Sequence, residues 1–269
     1  MIIGIDIGST TTKVVAAQSG EVLKAVKTKA FDAVTSATGA LGKMIIENGY
    51  NIADIEKIII TGVGASKINS DIFGIKTVKI DEINAVGKGG VFLSKKDNIV
   101  ITNIGTGTSI IEAKGGMITH IGGTGIGGGT IIGLSKILLN TMDFDNILEK
   151  AAHGDLKQVD LLIEDILEDD ISFLNKKTTA SNFGKMLDTA SKEDIATGIV
   201  NMVFQVIGVL SVFAAKSRNL DTILVTGNGS RNMLGKKILE DISAMYSIHF
   251  EFPADGEYTT AIGAALSGE

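Results

Sequence analysis

The chain has 269 residues, enough for one large domain or two modest ones around a buried core. It contains no cysteine, which excludes disulfides, a cysteine nucleophile, thiolate metal sites and cysteine-ligated iron–sulfur clusters. A formal net charge of −6 argues against nucleic acid or an anionic membrane as the main partner.

Residues 2–7 read as a continuous apolar strand, interrupted by Asp6. No basic stretch precedes it, so a secretory signal is not expected and the expected location is cytoplasmic. Gly8-Ser9-Thr10 turns the chain into a return strand over 13–17, and 22–26 can add a third. A helix is predicted from Asp32, whose carboxylate can cap it, to Gly49. Residues 58–60 form a short buried strand ending in Thr61-Gly62-Val63-Gly64. A further strand over 76–80 leads to Asp81 and Glu82 at the start of a glycine-containing helix.

The pattern then repeats. Residues 98–103 are an apolar strand, followed by Gly105-Thr106-Gly107-Thr108 and strands over 110–113 and 117–121. The stretches DIGSTT at 6–11 and NIGTGT at 103–108 share the pattern D/N-I-G-S/T-x-T, which points to a duplicated domain with a ligand cleft between the copies. Glycines 125 and 127–129 open an apolar run over 131–139. Unpaired first-turn N–H groups at such a helix start suit phosphate. Residues 141–191 are charged and helical in pattern, with Asp143, Asp145, Glu149, Glu164, Asp165, Glu168, Asp169 and Asp170 read as solvated helix surface. A helix follows over 193–217. Its most apolar part, 199–215, includes Asn201, Gln205 and Ser211 and falls short of a span of about 20 residues, so it reads as a buried helix. Next come a strand over 223–225, Gly227-Asn228-Gly229, a helix from Asn232, a strand over 249–252 and an alanine-rich helix over 260–266, small-faced enough to pack on the first domain.

The chain carries 33 glycines and one proline, where average usage gives about 19 and 13. The glycines gather at strand ends, where a missing Cβ lets backbone N–H groups approach a ligand. Residues 6–13, Asp6-Ile7-Gly8-Ser9-Thr10-Thr11-Thr12-Lys13, offer hydroxyls, backbone donors and a lysine at one turn, a cradle for anionic oxygens. Asp6 at the strand end is placed to hold Mg²⁺ through water. There is no Walker A sequence, and the glycine spacing does not match a dinucleotide fingerprint. A carboxylate at 81 or 82 can take a proton from an attacking hydroxyl, and either can equally serve the helix dipole. His120, His153 and His249 show no metal-ligand spacing.

Taken together, these motifs resemble the acetate-and-sugar-kinase/actin superfamily and, within it, the type II pantothenate kinases. The resemblance runs through GIDIGSTTTK at 4–13, ITGVGAS at 60–66, DEINAVGKGG at 81–90 and NIGTGTS at 103–109. It continues through HIGGTGIGGGTIIGL at 120–134, AAHGD at 151–155, TASNFGK at 179–185, TGNGSRN at 226–232 and AIGAAL at 261–266. It implies an α/β, duplicated actin-like ATPase (ribonuclease H-like) fold of two domains, 1–95 plus 258–269 and 96–257, with the active site in the cleft between them. It further implies transfer of the ATP γ-phosphoryl group to the terminal hydroxyl of pantothenate, with ATP and Mg²⁺ as cofactors and a homodimer built on the helix over 193–217. Asp6 to Lys13 would bind the ATP phosphates and Mg²⁺. Thr106, Gly128, Gly129, Thr130, Ile131, Ile132, Phe144, Gly227, Asn228 and Gly229 would complete the nucleotide site. Glu82 matches the family's catalytic glutamate, and Glu82, Thr106 and His120 would meet the acceptor. His120 stands where members carry an arginine, so one donor replaces a bidentate fork. Two alternatives share parts of the pattern: a kinase of another small hydroxylated metabolite such as a sugar, and a cluster-less relative of the hydroxyacyl-CoA dehydratase activator ATPases. A third, a non-catalytic ATP-binding regulator, is opposed by the retained Glu82.

Overall fold

The computed structural model describes residues 1–167 and 176–268. Strand β1 (Ile2–Ile7) is buried along its whole length, as a central strand covered on both faces must be. Around it lie β2 (Thr11–Gln18), β3 (Glu21–Lys29), β4 (Lys57–Thr61) and β5 (Thr77–Lys79) in the order β3-β2-β1-β4-β5. A second sheet comprises β6 (Asn98–Ile104), β7 (Thr108–Lys114), β8 (Met117–Thr124), β11 (Thr222–Thr226) and β12 (His249–Glu251). Its order is β8-β7-β6-β11-β12. Each sheet is therefore an antiparallel meander of three strands extended by two parallel ones.

The registers correspond as well. Asp6 lies opposite Lys13 and Thr61, and Asn103 lies opposite Ser109 and Thr226. The short likeness between 6–11 and 103–108 thus marks the repetition of an entire five-stranded unit, and the fold is the duplicated actin-like, ribonuclease H-like one.

Helix α1 (Ala33–Asn48) covers the first sheet. The Asp32 carboxylate accepts from Val34 N and Thr35 N at its start, and Gly49 closes it in the left-handed region, the two ends that capping chemistry predicts. Helix α2 (Glu82–Ser94) connects the halves. Its Val86 packs with Ile99, Ile101 and Ile111 of the second sheet, and its other side meets α8 (Thr259–Leu266), which also lies on β1 and β2. The α2–α8 approach needs a glycine: a Cβ on Gly263 would stand 1.8 Å from Ala85 O.

The second half holds α3 (Gly128–Leu139), α4 (Phe144–Ala151), α6 (Lys192–Ser217) and α7 (Met233–Tyr246). Helix α6 is long and apolar enough to cross a membrane, yet 67% of its apolar window is buried inside the protein. Ile199, Val200, Val203, Phe204 and Ile207 are all core residues, and burying each is worth roughly 1.5–3 kcal/mol.

The segment 141–191 departs from expectation. Among the described residues of this segment only 144–151 and the short α5 (Ile163–Ile166) are α-helical, and β9 (Leu161–Leu162) pairs antiparallel with β10 (Thr179–Ser181). Polar side chains there satisfy backbone and loop groups in place of a helical ladder. Fully buried Asp160, absent from the acidic residues read as surface, accepts from Phe183 N at 2.8 Å and Asn201 Nδ2 at 2.8 Å, pinning the loop to α6. Glu168, Asp169 and Asp170 lie outside the described residues.

Candidate active site

Where β1 turns into β2, and β6 into β7, the two halves face one another across a cleft of about 530 Å³. Its walls include Asp6, Gly8, Ser9, Thr10, Thr11 and Lys13 from the first half. Thr106, Thr108, Ser109, Gly227 and Asn228 come from the second, and Glu82 from the head of α2. The turns touch: Ser9 Oγ and Thr106 Oγ1 are 2.8 Å apart, and Asn228 Nδ2 donates to Thr11 Oγ1 at 3.3 Å. Two residues predicted from the first turn stay out of the cleft, because a strand sends alternate side chains to opposite faces. Ile7 is buried in the core against α1, and Thr12 is buried completely.

The glycine turns after β4 and β11 are a second matched pair. Gly62 has φ +86° and Gly227 has φ +79°, the left-handed region that favours glycine. A Cβ on Gly62 would lie 2.6 Å from Asp6 Oδ1, and one on Gly227 would lie 2.8 Å from Asn103 Oδ1. Each turn therefore seats the polar residue that ends the neighbouring strand. The recurrence of T-G-x-G at 61–64 and 226–229 was the available signal for adding Gly62 and Val63 to the site. Thr260, brought in from α8, had none.

The electrostatics suit an anionic ligand with a hard cation. Asp6 is 8% exposed, and Lys13 Nζ stands 4.0 Å from its Oδ2, too far for a hydrogen bond. Burial raises the Asp6 carboxyl above its ordinary value, opposed by the Lys13 charge. Burial likewise lowers the Lys13 ammonium, opposed chiefly by Asp6. Asn228, also in the cleft lining, has an Oδ1 that is buried without a partner among the described residues, and so has Thr61 Oγ1 on the strand beside Asp6. A carboxylate with no donor among the described residues, a lysine and orphaned polar atoms fit phosphate oxygens and a water-carrying Mg²⁺. Glu82 is raised by burial first, then by the negative charges of Asp6 and Asp81. Asp81 is exposed and caps α2 through Asn84 N, so of the two carboxylates only Glu82 lines the cleft.

The glycine-rich helix start differs from its expected form. The N–H groups of Gly128 and Gly129 donate to Gly105 O and Thr106 O at 2.9 Å, and Gly127 N donates to Thr130 Oγ1 at 3.2 Å. The first two donors are spent on docking α3 against the β6–β7 turn, and the third on a side chain of α3 itself. The expectation that they are unpaired does not hold, because the turn itself supplies acceptors. Ile131 is buried in the core, while Ile132 and Phe144 are half-buried; none of the three lines the cleft. Gly229 packs on the Ile104 side chain. His120 is exposed on β8 opposite Ile111, also outside the cleft lining.

Comparison with known proteins agrees with this architecture. The Fumble family model matches residues 98–267. A type II pantothenate kinase of Bacillus anthracis is 34% identical over 277 residues, covering 98% of this chain and 96% of the relative. That of Staphylococcus aureus is 28% identical, covering 100% of both. Among solved structures, the activator of 2-hydroxyisocaproyl-CoA dehydratase from Clostridium difficile with bound ADPNP superposes with a TM-score of 0.69. It is 20% identical and covers 99% of this chain and 93% of its own. A ROK family glucokinase from Streptomyces griseus with glucose and AMPPNP reaches 0.60 at 13% identity, covering 99% and 98%. These two likenesses show the fold alone. Full-length sequence likeness, on a fold with paired glycine- and hydroxyl-rich turns, leads to one assignment: the chain belongs to the type II pantothenate kinase family.

Proposed function

We propose that the cleft transfers the γ-phosphoryl group of ATP to the primary hydroxyl of pantothenate, giving 4′-phosphopantothenate, the entry step to coenzyme A. The observation that carries the reading is the meeting of Asp6, Lys13 and Glu82 at a cleft walled by two matched hydroxyl- and glycine-rich turns. Glu82 takes the proton of the acceptor hydroxyl as its oxygen bonds to the γ-phosphorus and the bond to the ADP oxygen breaks. Its raised affinity for protons, due first to burial, suits a base that must receive one. Lys13 and the turn hydroxyls Ser9, Thr10, Thr11 and Thr106 orient the phosphates, since phosphoryl transfer depends on positioning and charge neutralisation. Asp6 would hold Mg²⁺, which when bound supplies neutralisation of phosphoryl oxygen charge. Gly227, Asn228 and Gly229 complete the nucleotide side. Gly128 and Gly129 support it from behind through their bonds to Gly105 and Thr106, with Thr130, Ile131 and Ile132 behind them on α3 and Phe144 at the head of α4. His120 meets the acceptor's carboxylate from the exposed stretch of β8.

The division proposed is 1–95 plus 258–269 and 96–257, supported by the packing of α8 on β1 and β2. A homodimer forms through the apolar face of α6, where Met202, Val206 and Val209 are half-buried and Leu210 and Phe213 exposed. The protein acts in the cytoplasm.

Thermal melts with ATP test the nucleotide site. Mg²⁺–ATP raises Tm by mass action, and Asp6→Asn loses the Mg²⁺-dependent part of that rise. An ATP shift indifferent to Mg²⁺ in both proteins contradicts the role of Asp6. For the acceptor, His120→Ala raises KM for pantothenate several-fold with KM for ATP unchanged; unaltered pantothenate kinetics place His120 outside the substrate site.

A further inference from the structure

The segment joining the second sheet to α8 carries a buried carboxylate that the phosphate turns do not use directly. Glu257 is 6% exposed, and its two oxygens are taken by cations from opposite halves. Lys27 of β3 donates to Oε2 at 2.6 Å, and Arg231, at the end of the turn after β11, donates to Oε1 at 2.5 Å. Next to it, the Gly256 carbonyl accepts from Gly227 N at 2.9 Å, so the segment is bonded to the nucleotide turn at both its first residue and its arginine. The same turn presents Asn228, whose amide reaches Thr11 across the cleft.

We infer that Glu257 is a positioning residue that fixes the spacing of the two phosphate turns by holding Arg231 of one half to Lys27 of the other. The physical reason is the cost of an uncompensated buried carboxylate. Parting the halves strips Glu257 of one cation while it stays out of water, and breaking such a pair is far costlier than the pair is worth when made. Arg231 is 62% exposed, and its guanidinium serves Glu257. A shift of about 1 Å between turns that orient phosphoryl and acceptor can cost on the order of 10²-fold in rate. Glu257 therefore reaches catalysis through Arg231 and Asn228 without touching the reacting atoms.

The inference rests on the kinase reading for its kinetic readout but not for its binding readout. The full-length wild type is compared with Glu257→Gln, Arg231→Ala, the double variant and Arg231→Lys. Kinetics in ATP and pantothenate are measured alongside ATP affinity by titration calorimetry and thermal melts. Each removal is expected to lower kcat about tenfold or more with KM for pantothenate within about twofold, and to weaken ATP binding several-fold. The double variant is no worse than the worse single, because Glu257→Gln already removes the ion pair that Arg231→Ala removes. Arg231→Lys restores most of both properties. Arg231→Ala alters a surface side chain, so it decides the matter even if Glu257→Gln does not fold. Unchanged kcat and ATP affinity in folded Arg231→Ala, or losses that multiply in the double variant, overturn the inference. A wild type that binds ATP but never turns over pantothenate defeats the kinase reading instead, and the coupled losses of ATP affinity then judge Glu257 alone.

Discussion

Glu82 carries two separable consequences, one chemical and one thermodynamic. Glu82→Gln keeps the shape of the side chain and removes the proton acceptor, so kcat falls by about 10²–10⁴-fold while ATP still stabilises the fold. Asp81→Asn, changed at an exposed cap, is much milder; the reverse ranking contradicts the assignment. The thermodynamic consequence has a definite sign. Burial and the Asp6 and Asp81 charges raise the folded-state pKa of Glu82 above the ordinary glutamate value of 4.5. Its contribution to stability is therefore full below the unfolded value and is lost as pH rises through the folded one. The glutamine variant has no such titration. Without ligand, its Tm relative to wild type rises with pH across that window, and a falling difference in paired melts contradicts the placement of Glu82. Sequence spacing left Asp81 and Glu82 equivalent, because both stand at a helix start. Which one points into the cleft depends on the direction α2 leaves β5 and on its packing against α8, neither of which is local.

At the scale of elements, the site is built from turns whose geometry is more exacting than their sequence. Gly227→Ala forces a Cβ to within 2.5 Å of Ile104 O at a φ of +79°. Backbone strain of about 1–3 kcal/mol is expected, with displacement of Asn228 and its bond to Thr11. The variant melts lower and binds ATP more weakly; a wild-type ATP affinity sinks the role given to this turn. The first turns at 6–13 and 103–109 were legible, since D/N-I-G-S/T-x-T needs only an apolar strand, a glycine and hydroxyls. The α3 start was legible as a helix but not as a used-up one. Nothing in GTGIGGGT reveals that Gly128 and Gly129 find acceptors at Gly105 and Thr106, some twenty residues earlier. Capping was readable wherever one residue decided it, as at Asp32 and Gly49.

For the whole molecule, duplication explains both the fold and the place of the cleft. Two sheets of one order set two strand ends face to face, and the repeat was visible because both copies turn through the same short pattern of glycine and hydroxyl residues. The segment 141–191 was misread as mainly helical because its charge pattern mimics a solvated helix, whereas its described residues are tied to a distant helix by Asp160 meeting Asn201. Helix α6, correctly read as buried, leaves one apolar face with Phe213 at 57% exposure. Phe213→Glu on that face is expected to convert a dimer to a monomer in light scattering after size exclusion; an unchanged mass excludes this face as the interface. The central claim is that this cleft phosphorylates pantothenate with Glu82 as the base. It is tested most directly by mass-spectrometric detection of 4′-phosphopantothenate from ATP, Mg²⁺ and pantothenate, with wild type and Glu82→Gln side by side. The account predicts stoichiometric product with wild type and product formation slowed at least about a hundredfold with the variant. ATP-competent wild type that forms no product, or a variant as fast as wild type, contradicts it.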